Sequence, residues 1–173
     1  RGVAYSSRGQ EGDVERAIAD YCAVIDMPDV PAELRAEALY NRGITYEKRE
    51  QPTNVAQAIA DLSAIIKMPN SSAEHRARAR YSRGVMYGER EEEEDVDRAI
   101  ADFSVVIGML DIPVELRAQA LHNRGVAYSK RGHDGDGERA IADFNAIIEM
   151  PDALSSLQDD ARRLRGNEQK RLV

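Results

Sequence analysis

Two residues of opposite charge recur at a fixed interval along the chain: Arg42 with Asp61, Arg83 with Asp102, and Arg124 with Asp143, each pair 19 residues apart. A guanidinium repeated in this way can face an anionic ligand, or it can close a partly buried bridge with its aspartate. Other chemistry has little to stand on. Three histidines, at 75, 122 and 133, and the single Cys22 are scattered, with no two at zinc-ligand spacing, so no metal is expected. No nucleophile motif, phosphate-binding glycine loop or dinucleotide fingerprint occurs, and neither enzymatic activity nor a cofactor is expected. The acidic run from Asp134 to Glu138 is no calcium loop. Arg139 stands sixth, where glycine is required, and no glutamate stands twelfth.

The elements that position these charges follow from the same periodicity. Arg-Gly stands at 1, 42, 83 and 124, and Ala-Ile-Ala-Asp begins at 17, 58, 99 and 140, a period of 41 residues without drift. This is a tandem repeat. Asp13, Asn54, Asp95 and Asp136 precede apolar runs, where their side chains suit a helix cap. In the second copy Val55, Ala58, Ile59, Leu62, Ile65 and Ile66 follow in steps of three and four, one stripe of a helix B. Met27-Pro28, Met68-Pro69 and Met109-Leu110 end that helix. A longer helix A then starts, with Ser71 and Glu74 at capping-box spacing in one copy. In the second copy it carries Leu34, Ala38, Leu39, Gly43 and Tyr46, and it is expected to reach about Glu50.

The pattern predicts an all-α fold, an α-solenoid of stacked antiparallel helix pairs. Residues 1–173 are read as a single repeat domain, with a truncated first repeat at 1–27 and full hairpins at 30–68, 71–109 and 112–150. Residues 153–172, charged where the other copies are apolar, read as a C-terminal capping helix. Because the chain opens without Met and midway through a repeat, a fragment of a longer protein is expected. The short first helix would leave Ile18, Tyr21 and Ile25 partly uncovered, an end through which copies could self-associate.

Within a hairpin, Arg42 lies about as far before the turn as Asp61 lies after it, so antiparallel helices bring the two to one height. A structural ladder of Arg-Asp bridges is the favoured reading, although Asp20 of the preceding unit is an alternative partner for Arg42. Gly43, Gly84 and Gly125 are expected to let helix B approach closely. Arg8, Arg49, Arg90 and Arg131 recur near the end of helix A, where a cation suits the helix dipole. Met27, Met68, Met109 and Met150 read as packing filler.

Composition narrows the partners. Acidic residues outnumber basic ones by 31 to 24, a net charge of -7, which repels a phosphate backbone, so no nucleic acid is expected. No apolar run has membrane-spanning length and no signal peptide opens the chain, so no membrane is expected. With one cysteine, a cytoplasmic location fits. The run Glu91-Glu92-Glu93-Glu94-Asp95 falls in a turn, where solvated charge is the plain reading and docking of a basic partner the other.

Gly43 and Tyr46, Ala58 and Leu62, and Pro69 in the second copy, with Gly125, Tyr128, Ala140, Phe144 and Pro151 in the fourth, resemble the tetratricopeptide-repeat (TPR) family. The likeness covers essentially the whole chain. The repeat is longer than the family's usual length of about 34 residues, so the chain looks like a longer-repeat relative. The resemblance implies a right-handed superhelix and a non-enzymatic scaffold that binds a protein, peptide or partner helix on the concave face lined by helix A. The inward slots it implies are Glu37, Tyr40, Asn41, Ile44, Glu47 and Lys48; Arg78, Tyr81, Ser82, Val85, Gly88 and Glu89; and Gln119, His122, Asn123, Val126, Ser129 and Lys130. The family's chaperone-binding branch grips a terminal carboxylate with lysine and asparagine at such slots. Tyr40, Ile44, Tyr81 and Val85 stand there instead, so a carboxylate clamp is not expected.

Overall fold

The computed structural model describes residues 12–47, 52–90 and 92–172. Among them are eight α-helices and no strand: α1 (Asp13–Ile25), α2 (Ala32–Glu47), α3 (Pro52–Lys67), α4 (Ala73–Glu89), α5 (Glu93–Gly108), α6 (Val114–Arg131), α7 (Asp136–Ile148) and α8 (Ser155–Arg171). The protein is all-α, built from consecutive helices that pack as hairpins. It divides into two compact units, residues 1–79 and 80–173, with α4 beginning in the first and ending in the second.

In the first unit α2 packs on α1 and on α3. Its core is small: Ala17, Ala36, Ala58 and Ala77 are fully buried, and with them Leu62 and Ile65. Alanines at helix crossings let backbones close on one another, and the few larger side chains fill what remains. Tyr21 is also buried, and Ile18 and Ile25 are half-buried.

In the second unit α5, α6, α7 and α8 pack in succession, and α6 also meets α8. Leu121, Ala140, Phe144, Ile147 and Ala161 form a buried cluster joined by Leu157 and Leu164 of α8. The outer charges of α8, Asp159, Arg162 and Arg163, are exposed, as a polar capping face requires.

Helix ends differ in detail from the sequence expectation. Asp13 and Asp136 are the first residues of their helices rather than caps, and the cap positions are Gly12 and Gly135, both left-handed at φ 78 and 80. Asp95 lies inside α5. The serine that caps α4 is Ser72, whose Oγ accepts from the His75 amide at 3.1 Å, while the Ser71 hydroxyl is buried without a partner. The end of α2 expected near Glu50, and the recurring Arg8 and Arg49, fall outside the described residues.

A second contact recurs in three of the B-to-A turns, while in the α3–α4 turn the equivalent Arg76 donates to the Ser71 carbonyl. Arg35 Nη2 donates to the Met27 carbonyl at 2.6 Å, Arg117 Nη2 to that of Met109 at 2.6 Å, and Gln158 Nε2 to that of Met150 at 2.8 Å. Carbonyls at a helix C-terminus have no partner in their own helix, and a side chain eight residues on supplies one. Met27 itself is 51% exposed, so in that copy the methionine's useful group is its backbone oxygen and not a packed side chain.

Candidate partner-binding surface

The repeated charges form a frame. Arg42 donates from Nε to Asp61 Oδ2 at 2.8 Å and from Nη2 to Oδ1 at 2.7 Å. Arg83 holds Asp102 in the same way at 2.7 and 2.8 Å, and Arg124 holds Asp143 at 2.9 and 2.7 Å. Each bridge lies within its own hairpin, which decides against Asp20 as the partner of Arg42. The parallel double bond fits the planar guanidinium fork. The aspartates are buried at 6, 4 and 5% exposure, whereas each arginine is half-buried. Hydrogen bonding to the aspartate holds the guanidinium above its ordinary pKa in all three, with burial opposing.

A second set of ion pairs corrects the helix-dipole reading of Arg90 and Arg131. Arg131 donates to both oxygens of Asp136, at 2.8 and 2.7 Å, and through Nη1 to Asp97 at 2.6 Å. Arg90 Nε lies 3.1 Å from Asp95 Oδ2. Asp136 is fully buried and also accepts from the His133 amide at 3.0 Å. The Arg131 hydrogen bonds hold its carboxyl down at about 2 against the opposing effect of burial. Both recurring arginines therefore join helix A to the start of the next helix B. Within the acidic run Glu92 pairs with Arg90, and Glu94 and Asp95 pair with Arg98. Among the described residues no group of three His, Cys, Asp or Glu could hold a metal.

The glycine of each hairpin is not equivalent to the others. A Cβ at Gly84 or Gly125 would sit 2.8 Å from Phe103 Cε1 or 2.7 Å from Phe144 Cε1, so those two admit no side chain without a shift. At Gly43 the nearest atoms are Ala58 O at 3.5 Å and Asp61 Cβ at 3.6 Å, ordinary contact distances. Helix approach demands glycine only where phenylalanine stands opposite.

With the frame's charges paired, a partner must be read by the remaining residues. In the first unit α2 carries Glu37 exposed and Tyr40, Asn41, Ile44 and Glu47 half-buried, and Arg78 is exposed and paired with Glu74 at 2.7 Å. Lys48 lies outside the described residues. In the second unit the expected slots flank α6 in two clefts. Val85 and Glu89 of α4 meet Asn123, Val126 and Lys130 of α6 around a cleft of about 200 Å³, floored by Gly84, Gly88, Val96, Phe103 and Ala127. Gln119 and His122 open instead toward α8, where Glu115, Ala118, Leu154, Ser156, Leu157 and Asp160 complete a wider cleft of about 400 Å³. Ser82 is buried at 8% exposure and presents little to a partner.

Several slot residues also brace the helices. Asn123 Nδ2 donates to the Tyr81 hydroxyl at 3.1 Å, and the Tyr81 ring tilts against Phe103 at 5.9 Å. His122 Nε2 lies 2.8 Å from Asp160 Oδ2 and its Nδ1 3.2 Å from Asn123 Oδ1, so both ring nitrogens face oxygens. Arg163 first, and then His122, hold the Asp160 carboxyl below the ordinary carboxylate range. Lys130 Nζ reaches the Gly88 carbonyl at 3.4 Å.

Sequence reasoning missed the α8 side of the wider cleft, because that helix departs from the repeat. Gly88, at one of the inward slots, offers a partner space and no side chain. A glycine within a helix costs up to about 1 kcal/mol relative to alanine. Here a Cβ would meet nothing within 4 Å, so packing does not demand it. The same phase of the repeat holds Glu47, Ser129 and Lys170 in the other copies, so the missing side chain is particular to this one.

Fold and surface together define a class, an all-α array of tandem helical hairpins with an ion-paired frame and open clefts along its A helices in the second unit. No protein-family model, curated protein or solved structure matches the chain. No helix among the described residues is long and apolar enough to cross a membrane.

Proposed function

We propose that this protein is a non-enzymatic, TPR-like interaction scaffold that binds a peptide or partner helix along the exposed residues of its A helices. The observation that carries the reading is the division of labour on α6. Arg124 and Arg131 are engaged within the frame, while Gln119 and Val126 on the same helix are exposed beside clefts and take no part in it. The slots also change from copy to copy, Tyr40 and Tyr81 giving way to His122 and Ile44 to Val126, as they would on a surface that reads successive parts of one ligand. Selection from a displayed library of random peptides is the test. Peptides that bind the wild-type chain should lose at least tenfold in affinity to the pair Gln119→Arg and Val126→Asp, both at exposed sites, with helicity unchanged. Selected peptides that ignore both substitutions, and Glu37→Arg as well, would count against the reading.

Self-association is the second reading, and Arg165 favours it. This residue repeats the place of Arg124 and reaches Asn145 Oδ1 at 2.9 Å, yet its Nε is buried with no acceptor. A carboxylate arriving from another copy would complete that rung. Light scattering across a concentration series decides it, since a concentration-independent monomer removes this reading and leaves the first untouched.

A further inference from the structure

The narrower cleft carries a more specific reading, which rests on the scaffold function proposed above: we propose that the space beside Gly88 between α4 and α6 receives one aliphatic side chain, of leucine or methionine size, from the bound polypeptide. Three observations point to this occupant. First, the space exists because Gly88 lacks a side chain, and neither contact nor backbone requires that lack: its would-be Cβ meets nothing within 4 Å, and the residue is not among those with positive φ. Second, the walls are hydrocarbon. Val85, Val96, Phe103, Val126 and Ala127 line the cleft, and Val126 is 36% exposed. A volume of about 200 Å³ is room for one such side chain, since an apolar cavity of about 150 Å³ accepts a benzene ring.

Third, one repeat later an aliphatic side chain of the chain itself, Leu172, lines the corresponding cleft while 49% exposed. There α6 and α8 stand in the places of α4 and α6, and Gly137 of α7 stands in the place of Val96. Leu172 packs over that glycine, so close that a Cβ at 137 would meet its Cδ2 at 2.9 Å. Ser129 and Glu168 occupy the positions equivalent to Gly88 and Ala127, so the cleft at that site, of about 450 Å³, is more polar. The cleft beside Gly88 is the narrower and more apolar version of it. Its rim is electrically balanced, with one acid, Glu89, and one base, Lys130, which favours an uncharged side chain over a cation or a carboxylate.

The test is a titration of the isotope-labelled full chain, followed by amide NMR, with N-acetyl-leucine amide, N-acetyl-glycine amide and N-acetyl-lysine amide as probes. The leucine probe should shift the amides of Val85, Gly88, Val126 and Ala127 saturably, in the millimolar range on the order of what a dozen-atom ligand attains. It should bind at least tenfold more tightly than the other two. Gly88→Met fills the space from within and should abolish the response, whereas Gly108→Met, a change to an exposed glycine with nothing near it, should leave it intact. Val126→Asp, on the exposed rim, provides a second route to the same loss should the Gly88 variant fold poorly. Equal weak shifts from all three probes, or a response that survives both Gly88→Met and Val126→Asp, would overturn the inference. Library-selected peptides separate it from the broader function. Peptides that bind wild type and Gly88→Met alike, with shifts at Gln119 and His122, defeat the aliphatic slot and keep the scaffold. Failure to select any peptide while the leucine probe still saturates defeats the scaffold instead.

Discussion

The α2–α3 hairpin of the first unit and the α6–α7 hairpin of the second carry the same residues at the same phase and use them differently. In both, an arginine grips an aspartate through two parallel hydrogen bonds of 2.7 to 2.9 Å. Beside that rung, Gly43 faces Leu62 with its Cγ 3.7 Å from a would-be Cβ, and Gly125 faces Phe144 with Cε1 at 2.7 Å. The third donor differs too, Arg42 Nη1 meeting Cys22 Sγ at 3.0 Å where Arg124 Nη1 meets Ser104 Oγ at 3.0 Å. Identity at a repeated position therefore does not mean identity of role. The charge pair has one geometry throughout, whereas the glycine is constrained by whatever the neighbouring helix places opposite it.

The largest effect should come from breaking the shared part. Asp143→Ala leaves the half-buried Arg124 without its carboxylate, and the same holds for Arg42 in Asp61→Ala. Each should cost about 3 kcal/mol, the low end of the range for a broken buried pair because the guanidinium keeps some water. For a chain of this length that is a fall in Tm on the order of 6–12 °C. Thermal melts followed by circular dichroism read it directly. Two similar losses sustain the equivalence of the rungs. A loss under about 1 kcal/mol would put the pairs among ordinary surface bridges. Replacing both partners, as in Arg124→Met with Asp143→Leu, should recover most of the stability, since a well-packed apolar pair often matches a buried ionic one.

The glycines should then part company. Gly125→Ala forces a methyl group against the buried Phe144 ring and should destabilise by about 1–3 kcal/mol. Gly43→Ala meets only ordinary contacts and gains helix propensity, so it should be neutral or stabilising by up to about 1 kcal/mol. Chemical denaturation of the two variants gives the sign of each. Combining Gly125→Ala with Phe144→Leu should bring the second hairpin toward the behaviour of the first, and its failure to do so would mean that the ring is not the cause.

These contrasts mark what could be read from residues alone. The helices and the Arg42–Asp61 pairing follow from a period and a matched height across a turn, which involve only spacing. The role of Gly43 needed the residue across the interface, Leu62 or Phe144, and the two differ by a ring that no periodicity weighs. By position alone Arg131 suits its own helix dipole and Asp136, five residues on, suits a helix cap. Only the observed start of α7 at Asp136 freed that carboxylate for a bridge. The Arg35 and Arg117 contacts to carbonyls eight residues earlier return after two periods, while Arg76 between them bonds the Ser71 carbonyl, and an acceptor on the main chain leaves no mark in the sequence. For the surface, the variable slots on α6 were legible, but Asp160 and Leu157 on their far side belong to a helix whose composition breaks the pattern.

The smallest effect concerns the third donor of the rung, and it sharpens the comparison most finely. Cys22, Ser104 and Asn145 occupy one phase of the repeat, and each accepts from an arginine Nη1, that of Arg42, Arg124 or Arg165, at 3.0, 3.0 and 2.9 Å. Sulfur, hydroxyl and amide oxygens share little except the ability to accept, so the position asks for an acceptor and not for thiol chemistry. Cys22→Ser should then change stability by less than about 0.5 kcal/mol, the ordinary range for a change that preserves its contacts. Cys22→Ala removes the acceptor and should cost more, about 1 kcal/mol, because one N–H of a half-buried guanidinium loses its partner. Equilibrium unfolding of wild type and both variants in one buffer resolves the order. Should the serine variant lose as much as the alanine variant, the thiol would be packing against α2 through its bulk, and the first hairpin would differ from the others in its rung as well as in its glycine.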